Sequence, residues 1–122
     1  MKNIRYTESH EWISLQGKVG TVGITHYAQK ELGEIVYIEL PKVGQTVKTG
    51  QEACVLESTK AAADVYSPVS GKILEVNEAV HQSPGFLNKT AETTGWLFRI
   101  ELFDLREFEQ LLLSEQYARL IF

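Results

Sequence analysis

Cysteine is almost missing from this chain. Cys54 stands alone among 122 residues, so no intrachain disulfide can form and a reducing compartment is the simpler expectation. Long apolar runs are missing too: no stretch approaches the roughly 18 residues of a membrane-spanning helix, so no membrane partner is expected. Basic charge is in deficit, with 12 Lys and Arg against 16 Asp and Glu and a net charge of −4. The cations are scattered, which argues against nucleic acid as a partner. The three histidines, His10, His26 and His81, lack ligand spacing and have no cysteine pair to join, so no metal site is expected. No nucleophile elbow or phosphate loop occurs, and no catalytic set is expected. The opening residues, Met1 to Tyr6, show neither the apolar stretch of a signal peptide nor an Arg/Ser-rich transit pattern, and cytoplasmic localisation follows as the default.

The residues that are present suit a single β-rich domain over residues 1–122. Glu11–Leu15 and Lys18–Ile24 read as strands around a Gln16-Gly17 turn. Thr25 is placed to N-cap a short helix over His26–Leu32, with Gly33 past its end. A β-branched strand, Glu34–Leu40, stops at Pro41, and Gly44 and Gly50 punctuate the next two connections. Val47, Ala53, Val55 and Glu57 alternate toward a lysine, Lys60. Beyond it, Gly71-Lys72-Ile73-Leu74 echoes Gly33-Glu34-Ile35-Val36, which suggests two related halves packed as a flattened barrel or sandwich. Helix is expected again only at about 104–120. Asp104 to Glu107 has capping-box form, Leu105, Phe108 and Leu112 make a stripe, and Ser114 caps a further turn through Tyr117 and Leu120.

The chemistry-bearing stretch is Glu57-Ser58-Thr59-Lys60-Ala61-Ala62-Ala63-Asp64, followed by Ser67-Pro68-Val69-Ser70-Gly71. It sets one lysine among small residues at a turn between strand-like segments. A turn lysine is ordinarily a solvated lysine, and Glu57 and Asp64 then merely solvate the hairpin. The alternative is an attachment point, since an amine on a four-carbon stem can form an amide with a carboxylic cofactor. The alanines keep such a hairpin slim enough to enter a ligase. Elsewhere, His10-Glu11-Trp12 reads as a buried tryptophan with exposed neighbours, and Cys54 as a small core or surface thiol.

An ordered set of motifs resembles the H proteins of the glycine cleavage system, which are lipoyl carriers. It runs from Ser9-His10-Glu11-Trp12 through Val22-Gly23-Ile24-Thr25, Leu32-Gly33-Glu34 and Glu57-Ser58-Thr59-Lys60-Ala61 to Leu87-Asn88 and Gly95-Trp96. Lipoyl domains of 2-oxoacid dehydrogenases usually place Asp before the lysine, and biotin carriers place methionines around it; Thr59 and Ala61 fit neither. The resemblance implies a barrel-sandwich hybrid with a short internal helix and C-terminal helices. It implies lipoate in amide linkage on Lys60, attached by a lipoate ligase or an octanoyl or lipoyl transferase. It implies P, T and L proteins as partners, the arm carrying an aminomethyl group from P to T and being reoxidised by L, with no independent enzymatic activity. Ser9, Glu11 and Asp64 become candidates for a cleft that holds the loaded, cationic arm, and Glu57 for recognition by the attaching enzyme.

Two alternatives stay open at this point: an H-like relay that passes lipoyl or octanoyl groups to other proteins, and an unmodified interaction module. Two departures from the family pattern stand out. Thr59 replaces the more usual valine, and the chain ends in apolar Leu120-Ile121-Phe122 where many relatives carry an acidic tail.

Overall fold

Short β-branched stretches cut by glycine and proline turns build two antiparallel sheets rather than a βαβ alternation. The computed structural model describes residues 3–122. Among them the strands are β1 (Asn3–Tyr6), β2 (Glu11–Gln16), β3 (Val19–Ile24), β4 (Ile35–Glu39), β5 (Thr46–Val47), β6 (Glu52–Ser58), β7 (Ala62–Tyr66), β8 (Gly71–Val76) and β9 (Phe98–Leu102). The helices are α1 (His26–Leu32), α2 (Glu78–Gln82), α3 (Gly85–Thr90), α4 (Leu105–Glu109) and α5 (Ser114–Ile121). One sheet has the order β1-β2-β3-β9-β8-β5 and the other β4-β6-β7. None of the helices is long and apolar enough to cross a membrane.

The sheets share one core. Val22, Ile73, Phe98 and Ile100 come from the six-stranded sheet, Ile38 and Leu56 from the three-stranded one, all essentially without solvent contact. Each such side chain contributes about 1.5–3 kcal/mol of burial. The β2–β3 hairpin forms around Gly17, whose φ of 64° is of the kind glycine adopts freely. Thr25 caps α1 by accepting the Ala28 amide, and Gly33 ends that helix at φ 84°. These elements match the sequence reading.

The half-repeat is more faithful than its residues suggest. Ile35 and Ile73 are both buried, Val36 and Leu74 both exposed. The pairing register slips between Ile35 and Tyr37 in β4 and between Ile73 and Glu75 in β8. Two strands from the two sheets thus carry an irregularity at the same place in the repeat, where an extra residue bends each strand around the core.

Several expectations need correction. Helix does not return only at the end: α2 and α3 lie between β8 and β9, too short to show a helical period and separated by Ser83 and Pro84. In β6 Cys54 and Leu56 are buried, Ala53 and Val55 half-buried and Glu57 exposed, so Cys54 is the core thiol of the two readings. Asp104 does cap α4, through the Arg106 amide, but Glu107 does not close the box; its carboxylate accepts from the backbone amide and hydroxyl of Ser70. Leu105 is 42% exposed, and Leu112 bridges to Tyr6 outside the helix, so the expected stripe reduces to Phe108. The α5 N-cap is Leu113, whose amide donates to the Gln116 side chain, and Ser114 is the first helical residue.

Candidate functional site

Thr59, Lys60 and Ala61 make the turn that joins β6 to β7, with Ser58 closing β6. Glu57 pairs with Ala62 as the last register position before it. The Ser58 hydroxyl oxygen accepts the amides of Lys60 (3.1 Å) and Ala61 (3.0 Å), and the Ser58 amide donates to the Ala61 carbonyl (2.8 Å). The Thr59 amide donates to the Glu34 carbonyl (3.1 Å), which ties the tip to the start of β4. The sequence reading does not single out Ser58, although a serine two residues before a turn residue is a recognisable backbone-bonding signal. Lys60 itself is exposed, and the ion pairs among the described residues, Arg99–Glu75 and Arg106–Asp104, leave it out. Its stem passes over Gly33, at the end of α1. An exposed amine on a hydrogen-bonded turn fits acylation by a carboxylic group.

Beside this turn lies a cleft of about 200 Å³ between α1, β7 and the entry to β2. Ser9, Glu11 and Asp64 line it together, with His10, Glu31 and Leu32 among their neighbours. Glu57 and Lys60 are not part of the lining; Glu57 is exposed on the strand leading to the turn. A wider depression of about 780 Å³ at Glu39–Gln45 contains none of the candidate residues.

The three cleft candidates differ in character. Asp64 is exposed, whereas Glu11 is only 2% exposed, against the expectation of exposed neighbours around Trp12. Hydrogen bonds to both of its oxygens explain how that carboxylate is tolerated. One oxygen accepts the hydroxyls of Thr7 and Ser9 (2.6 Å from Ser9), and the other accepts the Tyr66 amide at 3.1 Å. Burial raises the Glu11 pKa, while Ser9, Thr7, Tyr66 and the charge of His10 pull it back down. Glu31 is a third carboxylate on the cleft, supplied by α1, and no lysine or arginine lines it. Its position was not legible because α1 shows no acidic motif. The lining therefore suits a cationic group entering between Asp64 and Glu31.

The family model for the glycine cleavage H-protein matches residues 4–121. The chain belongs to that family. Among glycine cleavage H proteins, it is 52% identical to one from Thermotoga maritima over 117 residues, covering 96% of this chain and 94% of the relative. It is 44% identical to the mitochondrial glycine cleavage system H protein 2 of Arabidopsis thaliana over 119 residues, covering 98% of this chain and 76% of the relative. A crystal structure of a glycine cleavage system H protein from Mycobacterium marinum superposes with a TM-score of 0.87 at 35% identity, covering 96% of this chain and 94% of that one. The two-sheet architecture is accordingly the lipoyl-carrier barrel-sandwich fold of the H-protein family.

Proposed function

We propose that this chain is the lipoylated carrier of glycine cleavage, with lipoate in amide linkage to Lys60 Nζ. In this reading it takes the aminomethyl group of glycine from a pyridoxal-phosphate-dependent P protein, presents it to a T protein, and is reoxidised by an L protein. The observation that carries the reading is the placement of an exposed lysine on a hydrogen-bonded turn beside a cleft lined by Glu11, Glu31 and Asp64. The dithiolane of lipoate supplies the redox-active sulfurs on which the one-carbon unit travels. The chain's own residues do the rest. Ser58 shapes the turn so that the amine projects, the body holds the arm at high local concentration near a docked partner, and the cleft carboxylates favour the cationic cargo over bulk water.

Glu11 acts in this scheme through Ser9, since its oxygens are already occupied by Thr7, Ser9 and Tyr66. Asp64 and Glu31 are the carboxylates left to meet the amine, Glu31 accepting only the Tyr27 hydroxyl at 3.3 Å on one oxygen, and Glu57 is assigned to recognition by a lipoate ligase or an octanoyl or lipoyl transferase. The residues 1–122 work as one carrier domain, without catalytic groups of their own. We assign the work to the cytoplasm, a reducing compartment with which a chain carrying one buried free thiol is compatible.

Intact-mass measurement after incubation with lipoate, ATP and a lipoate ligase tests the attachment: one lipoyl increment is expected, and none on Lys60→Ala. Exchange of the glycine carboxyl carbon with bicarbonate in the presence of P protein then tests the shuttle. Modification without exchange, together with acyl transfer to an apo dehydrogenase domain, would replace the shuttle by the relay. No modification by a competent ligase would remove the carrier reading.

A further inference from the structure

The last helix, α5, buries one residue, Tyr117, and that side chain does two separable things. Its ring stacks on Tyr6 at 4.8 Å between centroids and 7° between planes, which seats the helix against β1. Its hydroxyl instead reaches His10, which lines the cleft, and Thr25, which caps α1. It lies 2.9 Å from His10 Nδ1 and 2.7 Å from Thr25 Oγ1.

Both partners govern cleft geometry. His10 sits between Ser9 and Glu11 and is the non-glycine residue with positive φ among the described residues, at 75°. An L-residue holds such a conformation only where its surroundings enforce it. Thr25 caps α1 by accepting the Ala28 amide at 3.2 Å, and its own amide donates to the His10 carbonyl at 3.0 Å. Ala28, Glu31 and Leu32 of that helix form the wall opposite Ser9 and Glu11. Tyr27 adds its ring to the His10 imidazole, and Glu92 accepts the His26 amide at 2.9 Å, so the same corner is held from several elements.

We propose that Tyr117 is a positioning residue for the arm cleft, its hydroxyl joining the strained His10 corner to the Thr25 cap and thereby setting the two cleft walls relative to each other. The proposal rests on the reading that this cleft shelters the loaded arm. A purely anchoring role for α5 needs only the ring on Tyr6. The hydroxyl adds nothing to that contact, while both of its hydrogen bonds go to cleft-shaping residues.

Tyr117→Phe separates the two roles because it keeps the ring and removes the hydroxyl. Amide hydrogen exchange of the unmodified protein is expected to speed up at Thr25 and Ala28 by roughly three- to tenfold. Exchange at Tyr6 and Leu112, whose mutual backbone bonds depend on α5 being seated, is expected to stay unchanged. In the lipoylated protein, loss of the aminomethyl cargo to water is expected to accelerate severalfold while the lipoylation rate stays the same. Unchanged exchange at Thr25 and Ala28, or equal acceleration at Tyr6 and Leu112, overturns the positioning role. Faster local exchange with unaltered cargo loss overturns the link from Tyr117 to the arm. If Asp64→Asn combined with Glu31→Gln also leaves cargo loss unaltered, the sheltering cleft itself is what fails.

Discussion

The Lys60 side chain lies across Gly33: a Cβ built on residue 33 would come within 2.9 Å of Lys60 Cε and 3.6 Å of Nζ. Gly33 has φ 84° and ψ −158°, a region that only glycine occupies at little cost. One residue therefore ends α1, turns the chain into β4 and clears the path of the lysine stem. Gly33→Ala is expected to destabilise the fold by about 1–3 kcal/mol through backbone strain and to displace the stem. Urea unfolding reads the first effect, and the rate of lipoyl addition by intact mass reads the second. Stability lost with an unchanged lipoylation rate would separate the strain from the clearance and confine Gly33 to the former.

Glu11 gives a pH signature whose sign comes from burial. Its pKa is raised on folding, chiefly by desolvation, so the folded state holds the proton more tightly than the unfolded chain. Between the unfolded and folded values the native state binds more protons, and stability must fall as pH rises through that window. Relative to Glu11→Gln, the parent protein should be most stable below the ordinary carboxylate range and lose that margin as pH rises through the folded value. Denaturant midpoints of both proteins across pH measure it. A margin that grows with pH would mean that the hydroxyls of Thr7 and Ser9 and the Tyr66 amide outweigh desolvation.

Asn88 makes a prediction about the platform under the turn. Its side chain accepts the Ile35 amide at 2.9 Å and donates to the Ile35 carbonyl at 3.0 Å, pairing α3 with β4 at the place where the register slips. Asn88→Ala leaves both backbone groups of Ile35 without these partners, at a cost of about 1–3 kcal/mol for each group left unsatisfied. Thermal unfolding should register the loss, with Ile35 and Tyr37 amides exchanging faster than those of the β2–β3 hairpin. Uniform exchange across both sheets would show instead that the Asn88 pairing belongs to the global fold.

How much of the fold and site is legible in the sequence depends on the range of each interaction. Thr25, Gly33 and the Gln16-Gly17 turn act within a few residues, and their chemistry can be read locally. Glu11 can be named from a family motif but not understood: its burial rests on Tyr66, which lies in another sheet. Glu107 has the form of a cap yet bonds Ser70, because a long-range pair of donors competes with its own helix end. Tyr117 acts across 107 residues to reach His10 and Asn88 across 53 to reach Ile35, and no local pattern announces such contacts. The half-repeat hints at the matching irregularities in β4 and β8, but a register slip is a property of the paired strand and cannot be seen in one.

Cys54 tests which phase of β6 faces inward. The thiol is 2% exposed, and burial pushes its pKa far above the ordinary thiol value, with Glu11 and Glu39 adding in the same direction. A thiol without thiolate character and without access reacts only when the strand opens. Labelling with a small disulfide reagent at neutral pH should therefore be slow in the native protein and immediate in denaturant. Cys54→Ser, which puts a hydroxyl into the same apolar setting, should cost about 1–3 kcal/mol, whereas Val55→Ser on the less buried phase should cost less. Fast native labelling, or the reverse ranking of the two serine variants, would place Val55 rather than Cys54 on the inner face of the strand that leads to Lys60.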